Sequence, residues 1–90
     1  MGKQEELKQI CDMLDRIEED TAIPRNIRES SEECERLLLE SDDDLDVRIA
    51  SSIFKLEEMA DDPNIPLHGR TIIWNAISRL ESLKNNKDSS

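Results

Sequence analysis

A nine-residue pattern, Asp-x-x-Ile-Pro-x-x-x-Arg, occurs twice in this chain. It reads Asp20-Thr21-Ala22-Ile23-Pro24-Arg25-Asn26-Ile27-Arg28 in the first half and Asp62-Pro63-Asn64-Ile65-Pro66-Leu67-His68-Gly69-Arg70 in the second, an offset of 42 residues. Apolar positions outside the pattern keep the same offset: Cys11 with Ile53, Leu14 with Leu56, Ile17 with Met59, Cys34 with Ala76 and Leu38 with Leu80. A repeat of this period, with an apolar stripe on either side of a turn, specifies a duplicated helical hairpin. It fixes an architecture and names no chemistry.

The stripes set the element boundaries. Leu7, Ile10, Cys11, Leu14 and Ile17 follow a helical period, which predicts a first helix from near residue 3 to near residue 19. Pro24 suits the opening of a second helix, where its missing N–H costs nothing; that helix carries Ile27, Cys34, Leu37 and Leu38 and ends near Glu40. Ser41-Asp42-Asp43-Asp44 is a polar junction whose last acids can cap the next helix. Helix three carries Val47, Ile49, Ala50, Ile53, Phe54, Leu56, Met59 and Ala60, a broad face that predicts the most buried helix. Pro63 disfavours helix in the residue before it, and Pro66 can begin helix four with Ile72, Ile73, Ala76, Ile77, Leu80 and Leu83. Trp74 lies about 100° round the helix from Ile73 and is expected at the surface in part.

Each hairpin alone leaves one apolar face open. Stacking the two closes both, giving an all-α, four-helix up-and-down bundle with an approximate internal twofold axis. A two-repeat solenoid has a similar period, but two repeats are too few to stand alone. The expected domain spans residues 1–84, with hairpin one at about 3–40, hairpin two at about 44–84 and a flexible tail at 85–90.

The chain has 90 residues, and a chain this short buries only roughly 60–65% of its unfolded surface, so the core must be thin and continuous. With one Trp, one Phe and no Tyr, that core falls to aliphatic residues on helices. Twelve Lys and Arg against 22 Asp and Glu give a net charge of −10 at pH 7. This charge repels phosphate backbones and anionic lipids, so neither nucleic acid nor a membrane surface is an expected partner. A basic protein, such as a ribosomal or RNA-associated one, is electrostatically favoured. No apolar run approaches the roughly 20 residues that span a bilayer, and the residues after Met1 lack the hydrophobic region of a secretory signal. A cytoplasmic location is expected.

Candidate sites compete with structural roles. In the repeated signature, Ile23 and Ile65 can plug the ends of the core, Pro24 and Pro66 can start helices, and Asp20 and Asp62 can pair with Arg28 and Arg70. Alternatively Arg25, Arg28, His68 and Arg70 converge on a small anion, a nucleotide or phosphate, beside two helix N-termini. The chain has no Glu-x-x-His pair, and its glutamates flank the stripes, so neither metal nor cofactor is expected. Cys11 and Cys34 lie nearly equidistant from the first turn and read as small buried core residues, with a disulfide across hairpin one as the alternative. Trp74 is a candidate anchor for a partner. Phe54, on a helix apolar on more than one side, leaves room for a homodimer. No nucleophile motif or Gly-rich phosphate loop supports catalysis.

The residues Ile23-Pro24-Arg25-Asn26-Ile27-Arg28, Asp62-Pro63-Asn64-Ile65-Pro66 and Arg70-Thr71-Ile72-Ile73-Trp74 resemble the short archaeal proteins of uncharacterised protein family 0147, over nearly the whole chain. The resemblance implies a cytoplasmic four-helix bundle, bromodomain-like in topology only. It implies no function. The residues themselves favour a non-enzymatic interaction module with an acidic surface, and the anion site is the alternative.

Overall fold

The computed structural model describes residues 2–86, with side chains up to Lys84. Four helices follow one another: α1 (Lys3–Glu19), α2 (Arg25–Leu39), α3 (Leu45–Ala60) and α4 (Leu67–Asn86). α1 packs on α2 and α4, and α3 packs on the same two, so α1/α3 and α2/α4 lie on the diagonals of an up-and-down bundle. No strand occurs among the described residues.

Both hairpin turns are built by the same hydrogen bonds, which is the physical content of the repeat. Asp20 Oδ1 accepts the Ala22 N–H at 2.9 Å, and the Asp20 carbonyl accepts the Ile23 N–H at 3.0 Å. In the second copy Asp62 Oδ1 accepts the Asn64 N–H at 2.8 Å, and the Asp62 carbonyl accepts the Ile65 N–H at 3.3 Å. Such a turn satisfies donors that the ended helix leaves open. The prolines stand one place earlier than the sequence suggests, immediately before α2 and α4. Their carbonyls accept the first helical N–H groups, Arg28 to Pro24 and Arg70 to Pro66, each at 3.1 Å.

The stripe of α1 is buried as read: Leu7, Ile10, Cys11, Leu14 and Ile17. Ile23 and Ile65 are buried at the turn end of the core, and the paired positions Leu14/Leu56, Ile17/Met59, Cys34/Ala76 and Leu38/Leu80 all reach it. Ser31 is buried among them and donates to the Leu14 carbonyl at 3.0 Å, tying α2 to α1.

α3 corrects the expectation of the most buried helix, since it buries five residues, as α1 does. It buries Ile49, Ser52, Leu56, Met59 and Ala60, while Val47, Ala50 and Phe54 are exposed and Ile53 is half-buried. The reason is angular: eight apolar residues span more of the circumference than two neighbouring helices can cover. At the junction Asp44 holds the N-cap position of α3 through its carbonyl, which accepts the Arg48 N–H at 3.0 Å, and not through its side chain. α4 continues past residue 84 to Asn86, and the rest of the expected tail, 87–90, lies outside the described residues.

Candidate functional site

The repeated signature gathers at one end of the bundle, where its charged groups find partners within the protein. Arg28 Nε donates to the Ile23 carbonyl at 3.0 Å. Arg70 donates through Nε to the Ala60 carbonyl at 3.2 Å and through Nη2 to the Asp62 carbonyl at 3.1 Å. The expected clamp between Asp and Arg of one hairpin is thus replaced by guanidinium bonds to main-chain carbonyls that α3 and the two turns leave open. The aspartates instead reach across to the other hairpin. Asp20 Oδ2 lies 2.5 Å from His68 Nε2, and Asp62 Oδ2 lies 3.5 Å from Asn26 Nδ2. His68 and Asn26 occupy the same place in the two copies, so the contacts are a pair related by the internal twofold. The Asp20 carboxyl is held below its ordinary pKa, first by the Ala22 N–H and then by His68, with a smaller pull from Arg28.

This arrangement leaves little for an anion. Arg28, His68 and Arg70 are committed to protein acceptors, and Arg25 Nε faces Glu29 Oε2 at 3.4 Å. The groove beside Arg25 and Arg28 is lined also by Glu18, Glu29 and Glu32, three carboxylates against two guanidiniums. The four residues share one end of the molecule without forming an open cationic cradle.

One acidic group was not singled out by sequence reasoning. The carboxylates of Asp15, Glu18 and Glu35 bring one oxygen each within 4.8 Å of the others. Glu18 Oε2 is buried and has no hydrogen-bond partner among the described residues. Burial first, then Asp15 and Glu32, raise the Glu18 pKa, and a hydrogen bond with Asp15 adds to it. Three such acids can hold a cation or share a proton. The signal in the sequence was the step of three from Asp15 to Glu18, which places both on one face of α1; Glu35 arrives only through packing.

The cysteines are buried free thiols. Burial, followed by Asp15, Asp12 and Glu18, pushes Cys11 up to about 11, and burial pushes Cys34 up to about 12. Neither is an activated nucleophile at neutral pH.

The second distinctive surface lies on hairpin two. Among the exposed large apolar residues, Val47 is 47% accessible, Phe54 64% and Trp74 50%. Val47 and Phe54 are two turns apart on α3, and Trp74 is two turns from Glu81 on α4, so each pair shares a helix flank. Between the two helices runs a groove of about 560 Å³ lined by Ala50, Ile53, Phe54, Glu57, Glu81 and Lys84. Trp74 and Phe54 were legible as surface candidates, whereas Ala50 and Val47 read as core.

No helix among the described residues is long and apolar enough to cross a membrane. Residues 1–83 match the profile of the Uncharacterised protein family (UPF0147). A UPF0147 protein of Methanosarcina acetivorans is 46% identical over 79 residues, covering 88% of this chain and 81% of the relative. One from Methanothermobacter thermautotrophicus is 41% identical over 80 residues, covering 89% and 78%. Among solved structures, the unknown function protein MMP1188 is 41% identical with a TM-score of 0.85, covering 90% of this chain and 92% of that one. A protein of the same family from Thermoplasma acidophilum is 36% identical with a TM-score of 0.83, covering 89% and 94%. The names of these relatives assign no activity. This chain belongs to the UPF0147 family, whose function is unknown.

Proposed function

We propose that this chain is a non-enzymatic interaction module that docks a basic protein on the outer flank of α3 and α4. The observation that carries the reading is the company kept by the exposed apolar residues: Val47, Phe54 and Trp74 share hairpin two with Glu57 and Glu81, on a chain of net charge −10. Large half-exposed aromatics within a charged rim supply the desolvated anchors of an interface, and the long-range field supplies the preference for a positive partner. The ends of the bundle offer less. At the signature end the donors are already bonded, and a groove beside α2, lined by Glu33, Arg36, Leu37, Glu40, Ser41 and Lys55, has its Lys55 paired with Glu33 at 2.8 Å.

The test is purification of the native protein with its partners from the source cell, beside Phe54→Ala and Trp74→Ala variants. Basic polypeptides retained by the native chain, released by added salt and lost in both variants support the reading. The same polypeptides retained by both variants would remove the flank from the interface.

A further inference from the structure

We infer that the groove between α3 and α4 is the seat of an arginine side chain from the basic partner. The inference rests on the interaction-module reading and gives that face its anchoring contact. The α3 wall of the groove includes three apolar residues, Ala50, Ile53 and the exposed Phe54. The lining also carries Glu57 from α3 and Glu81 from α4, with Lys84 one turn beyond Glu81. Apolar lining residues select an occupant with a hydrocarbon stem, and carboxylates on both helices select a cationic head. Arginine and lysine alone among the side chains have both.

Three features favour arginine. A planar guanidinium stacks on the face of an aromatic ring such as Phe54. Its fork of donors can serve carboxylates on two helices at once, where an ammonium acts as a point charge. Guanidinium is also the more weakly hydrated cation, so seating it against Ile53 and Phe54 costs less desolvation. A second copy of this chain is a poor occupant, because each copy brings a net charge of −10 to the contact. Lys84 supplies the only cation in the lining, against the carboxylates of Glu57 and Glu81.

The probe is an octa-arginine peptide, titrated into the isotope-labelled protein at low salt and followed by amide chemical shifts, with octa-citrulline and octa-lysine as comparisons. The expected result is saturable shifts at Ala50, Phe54, Glu57 and Glu81 with octa-arginine, none with octa-citrulline and weaker binding of octa-lysine. The double variant Glu57→Gln/Glu81→Gln should weaken octa-arginine binding about tenfold. Glu5→Gln/Glu19→Gln on α1, which removes the same charge elsewhere, should weaken it only about twofold. All four glutamates are exposed, and thermal melts of both double variants check that the fold is kept.

Equal losses in the two double variants, shifts confined to other acidic faces, or equal binding of octa-lysine overturn the arginine seat while leaving an acidic interaction module standing. No binding to any face of the native protein removes both. Sedimentation velocity closes the remaining route: a native dimer that Phe54→Ala turns into a monomer assigns the groove to a second copy and overturns the proposal.

Discussion

Asp20, at the end of the first helix, is bonded to His68, in the first turn of the last helix, with 2.5 Å between Oδ2 and Nε2. The equivalent contact in the other direction joins Asp62 to Asn26. Each copy of the motif therefore contributes one acceptor and one donor to the opposite hairpin. The Asp of the pattern has two separate tasks: Oδ1 closes the local turn, and Oδ2 crosses the dyad. A duplicated segment that stabilises its twin in this way gives a reason for the pattern to persist that requires no ligand.

Acid should loosen this end first. The folded-state pKa of Asp20 lies below its unfolded value, so the stability it contributes is complete above the unfolded pKa, about 3.9, and is lost as pH falls through the folded value. Thermal melts followed downward from about pH 5 should show Asp20→Asn flattening the acid limb of the native profile. Identical acid limbs in the two proteins would contradict this role for Asp20.

Glu18 should act with the opposite sign. Its pKa is raised in the fold by burial and by Asp15 and Glu32, so the unfolded chain ionises first and stability falls as pH rises through that window. The penalty is complete at neutral pH and absent below the unfolded value. Glu18→Gln is expected to stabilise the protein at pH 7 by about 0.5 kcal/mol, a figure kept small because the side chain is open in part to solvent. The gain should vanish near pH 3, about one unit below the ordinary glutamate pKa, where the carboxyl is neutral in both states. Urea denaturation at both pH values measures it.

Gly69 marks where the copies had to differ. It stands where the first copy has Ile27, and a Cβ there would lie 3.0 Å from Ile23 Cδ1 and 3.1 Å from Ile65 Cγ2. Both isoleucines are buried, so neither has room to withdraw. Alanine gains about 1 kcal/mol in helix propensity, while overpacking costs about 1–3 kcal/mol, so Gly69→Ala should destabilise by about 1 kcal/mol. Ile23→Val removes the Cδ1 atom, and the double variant should be more stable than the sum of the single changes. Additive losses would show that the crowding is relieved elsewhere.

Much of this fold could be read before any coordinates. Proline placement, the Asp-x-x-Ile turn and the period of the α1 stripe are local signals, decided within a few residues, and they located the helices to within a residue or two at the turns. The partners of Asp20 and Asp62 were misassigned because the neighbouring Arg was the obvious local choice. The actual partners, His68 and Asn26, lie 48 and 36 residues away and depend on how the hairpins dock. On α3, Phe54 was legible as a surface residue, but the exposure of Val47 and Ala50 beside it escaped for a related reason. Hydrophobicity shows that Val47, Ala50 and Phe54 prefer burial, but which side of a helix has a neighbour is set by the bundle. The candidate groove is a property of that leftover side.

The most direct test of the crosswise closure is a double-mutant cycle on Asp20→Ala and His68→Ala, measured by urea denaturation beside a control cycle on Asp20→Ala and Asn26→Ala. The structure predicts a coupling well outside experimental error for Asp20 with His68 and additive losses for Asp20 with Asn26. Additivity in the first cycle, or equal coupling in both, would contradict the closure of the two hairpins through their shared motif.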